Sequence, residues 1–110
     1  MKKETKTKFE LRAKIIKAFA HPTRLFIIDE LSKGERCVCE LTDMVEADTS
    51  TISKHLSIMK NAGILKSEKR NLMVYYSLKC PCILEFLSCI ESVIKTNAQE
   101  QLDFTININE

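Results

Sequence analysis

TSTISKHLSIMKNA, residues Thr49 to Ala62, reads as a helix with one dry face. Asp48 before it is a good N-cap and Gly63 after it a good helix stop. Between them Ile52, Leu56 and Met59 recur at helical spacing. The other face carries Thr49, Ser50, Thr51, Ser53, Lys54, His55 and Lys60, with no acidic residue among them. A helix that is apolar on one side and hydroxyl-plus-cation on the other suits a nucleic-acid groove. A solvated helix that happens to lack acids fits the same pattern, so the flanking segments must decide.

Upstream, Val38 to Val45 predicts a shorter helix, and Glu46-Ala47-Asp48 a brief turn into Thr49. Two helices joined in this way, the second with a polar exposed face, form a helix-turn-helix. Downstream the period changes. Ile64 to Glu68 and Leu72 to Leu78 read as two strands, with Lys69-Arg70-Asn71 as the turn between them. A hairpin with a basic tip after a helix-turn-helix is a wing, and Lys69 and Arg70 are expected near phosphates.

Working further outward, a helix is expected from Lys8, with Leu11, Ile15, Ala18 and Phe19 as its stripe. His21-Pro22 ends it, because the residue before proline is pushed out of the helical region. Pro22 then opens a helix through Leu31, which Ser32-Lys33-Gly34 closes. Pro81 opens the last helix. Ile83, Leu84, Phe86, Leu87, Ile90, Val93 and Ile94 give it more apolar surface than one core stripe requires, so it is expected to be buried on two sides. The expected fold is mainly α with a small β-hairpin, a winged helix-turn-helix, dimeric through the first and last helices. Residues 1–7 are expected to be a mobile arm, 8–96 the DNA-binding domain, and 97–110 a poorly ordered tail.

Composition narrows the function. A chain of 110 residues with 45% hydrophobic content builds one small core, of a size often completed by dimerisation. A net charge of +2 means that any nucleic-acid surface must be local. No apolar run is long enough to span a membrane, and MKKETKTKFE lacks the apolar stretch of a signal peptide, so a cytoplasmic location is expected. Five cysteines in such a chain point to metal ligands or redox thiols more than to structural disulfides. No nucleophile–base pair or phosphate loop is present and glycine is nearly absent, which argues against an enzyme.

Four segments now carry a resemblance. Ala20-His21-Pro22-Thr23-Arg24-Leu25, Ser53-Lys54-His55-Leu56, Ala62-Gly63-Ile64-Leu65 and Val74-Tyr75-Tyr76-Ser77-Leu78 together resemble the ArsR/SmtB family of winged-helix repressors. The likeness covers roughly residues 8 to 95 in unbroken order. It implies a homodimer that binds double-stranded operator DNA and is released by an inducer, often a metal ion, with no permanent cofactor. It also implies that Thr49, Ser50, Thr51, Ser53, Lys54 and His55 meet the major groove and that Lys69 and Arg70 lie on the wing. His21 and His55 are not read as metal ligands, because zinc sites need clustered donors.

Glu35-Arg36-Cys37-Val38-Cys39-Glu40-Leu41 resembles the metal box ELCVCDL of the arsenic-, antimony-, cadmium- and lead-sensing members. Two thiolates one residue apart suit As(III), Sb(III), Cd(II) or Pb(II). Residues i and i+2 lie about 200° apart on a helix, so Cys37 is expected at or before a helix start, where both sulfurs converge. The third cysteine common in arsenic sensors is Thr42 here. Cys80, Cys82 and Cys89 are the remaining sources of a third sulfur. Cys80 and Cys82 flank Pro81 and are the expected donors, whereas Cys89 lies among apolar residues and is expected to be buried. The last helix lacks the Asp/His/His/Glu set of the zinc sensors. Two other functions remain open: a winged-helix repressor that senses thiol oxidation or persulfide, and a winged-helix protein-interaction module with no DNA target.

Overall fold

The structure, a computed structural model, describes residues 1–109. Glu110, the last residue of the expected tail, lies outside them. The order is α1 (Lys3–Phe19), α2 (Pro22–Leu31), β1 (Arg36–Cys37), α3 (Val38–Val45), α4 (Thr49–Asn61), β2 (Leu65–Arg70), β3 (Met73–Leu78) and α5 (Ile83–Asn109). The sheet is antiparallel with strand order β1-β3-β2. This is a mainly helical winged helix-turn-helix.

The apolar stripe of α4 anchors the core. Ile52, Leu56 and Met59 are fully buried, against Ile27 and Ile28 of α2, Leu41 of α3 and Leu65 of β2. Truncating a side chain such as Leu56 in a core packed this closely costs about 2–5 kcal/mol. The ends of α4 are set as its sequence dictates: the Asp48 carboxylate accepts from the Thr51 amide at 2.7 Å, and Gly63 follows at a φ of 85°. His21 is the N-cap of α2, its Nδ1 accepting from the Thr23 amide at 3.1 Å, and Pro22 fills the first turn.

Five features differ from expectation. The helix α1 begins at Lys3, so residues 3–7 are helical where an arm is expected. Lysine, glutamate and threonine interrupt nothing there, and Thr7 Oγ1 donates to the Lys3 carbonyl at 3.1 Å. At the other end α5 runs to Asn109, through the segment expected to be disordered. After Pro81 the chain holds neither glycine nor proline to stop a helix, and Gln99 bonds Asp103 one turn on at 2.9 Å. Cys89 is exposed rather than buried, because among the described residues no other element covers its side of α5. Finally, β1 is a third strand, too short to show any alternation in sequence, and the hairpin turns at Asn71-Leu72. Asn71 takes the left-handed conformation at a φ of 57°, while Lys69 and Arg70 belong to β2. Among the described residues no helix is long and apolar enough to cross a membrane.

Candidate functional site

The outer face of α4 exposes Thr49, Ser50, Thr51, Lys54 and Lys60, with Ser53 half-buried. Ser57 and Asn61 extend the same polar face and were not singled out by the sequence pattern. The first turn is partly occupied already. Besides capping Thr51, the Asp48 carboxylate accepts from Ser50 Oγ at 3.1 Å, and these hydrogen bonds hold its pKa below the usual value. An acid at this end complements the helix dipole and competes with phosphate there, which leaves Lys54 and Lys60 as the cations of the helix.

His55 is drawn inward. It is half-buried, Arg24 Nε donates to its Nδ1 at 2.9 Å, and its ring centroid lies 4.6 Å from that of His21. Burial, with the nearby charge of Arg24, lowers its pKa, so the ring is held neutral. Arg24 also donates to the Ala18 carbonyl at 3.2 Å. One guanidinium therefore ties the end of α1, α2 and α4 together, and His55 anchors α4 from within.

The wing carries Lys69 and Arg70 side by side but not alike. Both terminal guanidinium nitrogens of Arg70 donate to the Glu35 carboxylate, one of them at 2.9 Å, and Glu68 is reached at 2.8 Å. The guanidinium also lies 4.9 Å from the centre of the Tyr75 ring. The hydrogen bond from Arg70 pulls the Glu35 pKa down. Arg70 is thus largely neutralised by its own surroundings, while Lys69 has no ion pair among the described residues.

The segment of Cys37 and Cys39 occupies a junction. Cys37 is the last residue of β1 and the N-cap of α3, in an extended conformation. Its Sγ accepts from the Glu40 amide at 3.4 Å, and the Glu40 carboxylate accepts from the Cys37 amide at 3.1 Å, which closes a capping box. That break from helical geometry brings the two sulfurs together, and Cys37 and Cys39 are joined in a disulfide. Cys37 is buried and Cys39 exposed. Both line a cavity of about 310 Å³ whose other walls include Thr49, Leu72 and Met73.

Cys80 and Cys82 are elsewhere. They are free and exposed, and line a separate apolar cavity of about 470 Å³ with Ile15, Phe19 and Phe86. Cys80 Sγ lies 3.4 Å from the Gly63 carbonyl, and i+3 hydrogen bonds lead through Pro81 into α5. Within one protomer they do not reach the Cys37–Cys39 corner, contrary to the expectation of a shared site. Sequence spacing cannot show that β3 runs away from Cys37 before it delivers Cys80. Among the described residues no three side chains of histidine, cysteine, aspartate or glutamate cluster as a metal site.

Comparison with known proteins agrees with this architecture. Residues 21–67 match the profile of bacterial regulatory proteins of the arsR family. An uncharacterized HTH-type transcriptional regulator of Methanocaldococcus jannaschii is 37% identical over 87 residues, 78% of this chain and 98% of that protein. A Staphylococcus aureus homolog of the cadmium resistance transcriptional regulatory protein CadC is 46% identical over 67 residues, 60% of this chain and 55% of the relative. The arsenical resistance operon repressor of Bacillus subtilis is 40% identical over 76 residues, 66% of this chain and 72% of the repressor. The solution structure of a homodimeric winged helix-turn-helix DNA-binding domain from Mycobacterium bovis has a TM-score of 0.77 at 21% identity, over 91% of this chain and 93% of that one. The chain belongs to the arsR family of bacterial regulatory proteins. It is a DNA-binding transcriptional regulator of the repressor type, and its relatives are regulators rather than enzymes.

Proposed function

We propose that the chain is a homodimeric repressor that occupies duplex operator DNA and leaves it when a thiophilic ion binds Cys37 and Cys39. One observation carries this reading: the two sulfurs converge at the start of α3, in a single cavity with Thr49, the first residue of the recognition helix. An ion closing on both thiolates would pull on the helix-turn-helix at its first turn. The cadmium and arsenical regulators among the relatives support an ion of this class, with arsenite, antimonite, Cd(II) and Pb(II) the ones to try.

In this reading Ser50, Thr51, Ser53 and Lys54 meet the major groove, with Thr49 and Lys60 on the flanking backbone. Lys69 and, less strongly, Arg70 lie on phosphates. His55 acts by holding α4 rather than by reading bases. The dimer is supported by exposed apolar residues on α1 (Leu11, Ile15, Ile16) and α5 (Ile90, Val93, Ile94), which nothing covers in the protomer. The homodimeric M. bovis domain supports it further.

The test is to select duplexes from a random pool with the reduced protein, then titrate the complex with each ion while following release. Release at one ion per protomer, lost in a Cys37→Ser, Cys39→Ser variant that still binds the duplex, is the expected result. Retained release in that variant would overturn the reading. A second reading is favoured by the Cys37–Cys39 disulfide itself: transfer of two electrons and two protons from the dithiol to a peroxide, which is reduced to water or to an alcohol and water, would replace the ion as signal. Equal duplex affinity of the oxidised and reduced forms would dispose of it.

A further inference from the structure

The cavity of about 310 Å³ at the Cys37–Cys39 corner is lined by a third sulfur-bearing residue that no cysteine arithmetic counts. It is Met73, the first residue of β3. Cys37 pairs with Tyr75 across the sheet, and Met73 stands two residues along β3, on the same face of the strand as Tyr75. Met73 is 40% exposed, so its flexible thioether is not locked into the core. Of the oxygen donors at this corner, the Thr49 hydroxyl is a hard, neutral group that a soft ion does not select. The Glu40 carboxylate is engaged by the Cys37 amide and Arg36, and no third histidine, cysteine or carboxylate completes a cluster among the described residues.

Resting on the proposed thiolate site, we infer that Met73 Sδ is the third donor to the bound ion and that the site takes a soft monovalent cation, Cu(I), for which Ag(I) is a redox-inert probe. Two thiolates and one thioether form an all-sulfur trigonal set, and soft sulfur donors select Cu(I). The proton count separates this ion from arsenite. Two thiols bind Cu(I) with loss of two protons, and the thioether adds without losing any. Arsenous acid gives up its three hydroxides as water only to three thiols; a thioether has no proton to supply and leaves one hydroxide in place. The ion-binding form is the dithiol. It is reached from the disulfide by a thiol reductant, which gives up two electrons and two protons and is itself oxidised to a disulfide. An ion bound in this way joins three elements at once: the start of α3 through both cysteines, the wing through Met73, and the wall formed by Thr49 of α4.

The test uses the full chain, reduced and loaded anaerobically. Selenomethionine replaces all four methionines, and X-ray absorption at the selenium edge then looks for a metal neighbour. With Ag(I) or Cu(I) a metal shell is expected around selenium, absent in Met73→Leu and retained in Met44→Leu. In competition with a chromophoric Cu(I) chelator, Met73→Leu should bind at least about tenfold more weakly, the lower end of the loss seen when even an outer partner of a metal ligand is removed. A metal shell missing from the unsubstituted protein, a shell that survives in Met73→Leu, or unchanged affinity in that variant would overturn the inference. If Cys37→Ser, Cys39→Ser loses the ion while Met73→Leu keeps it at full affinity, Met73 falls and the thiolate site stands. If both variants keep it, the thiolate site falls as well. Stoichiometric arsenite binding with no Cu(I) or Ag(I) binding overturns the inference and leaves the thiolate site intact.

Discussion

Cys37-Val38-Cys39 and Cys80-Pro81-Cys82 have the same spacing and different fates. The first pair straddles a strand-to-helix junction: one thiol is buried and caps α3, the other is exposed, and the backbone break brings them into contact. The second pair stands before α5 with both thiols free, on the rim of an apolar cavity between α1 and α5. A Cys-X-Cys spacing therefore does not make a site; the conformational change between the two residues does. Position matters as much. The first pair lies beside the recognition helix, while the second lies beside the surface proposed to join two protomers.

The largest effect expected from this contrast concerns that surface. Ile90→Glu places a charge on the apolar face of α5, and an uncompensated buried charge costs about 3–5 kcal/mol. Sedimentation should show the dimer replaced by monomer at micromolar concentration. In the reduced protein, alkylation of Cys80 and Cys82 should speed up in the variant while that of Cys39 stays the same. Equal rates for all three thiols would break the contrast. The next effect is on release. Coupling between two sites is typically about 1–3 kcal/mol, or up to about 150-fold in operator affinity. Cys37→Ser, Cys39→Ser should lose all of it in a duplex-release titration, and Cys80→Ser, Cys82→Ser almost none.

Smaller effects separate Lys69 from Arg70 on the wing. Lys69→Ala should weaken all duplexes alike and lower the salt slope by about one. Arg70→Ala should change the slope less, because Glu35 and Glu68 already balance its charge; fluorescence anisotropy across a salt series reads both. The smallest effect is a pH dependence. The pKa of His55 is lowered in the fold from its ordinary 6.5, so the folded state favours the neutral ring. Its contribution is complete above that value and declines as pH falls below it, where the unfolded chain takes up the proton more readily. Urea midpoints should drop between pH 7.5 and 5.5, and His55→Gln should flatten that part of the curve.

The parts of the molecule that were legible in sequence are those with local signals. Helix α4 could be read because Asp48 and Gly63 bracket it and Ile52, Leu56 and Met59 mark its inner face. Cys37 could be put at a helix start because two adjacent-but-one thiols cannot converge on a regular helix. The parts that were not legible depend on distant partners or on missing stops. Two-residue β1 exists only because β3 pairs with it. Arg70 meets Glu35 across 35 residues of sequence, so its ion pair leaves no local trace. The helical form of the far end of α5 left no trace because Leu102, Phe104, Ile106 and Ile108 stand two residues apart and break the 3.6-residue stripe, on a chain with nothing to halt a helix.

The dual station of Cys37, last in a strand and first before a helix, also bears on how such a regulator can change over generations. Serine caps a helix at least as well as cysteine does, and it can accept the same bond from the Glu40 amide. A Cys37→Ser replacement would therefore keep the fold and the grip on DNA while silencing the ion. On the proposed mechanism, sensing and folding would be separable at a single codon, and a lineage could pass from an inducible repressor to a permanent one without crossing a valley of instability.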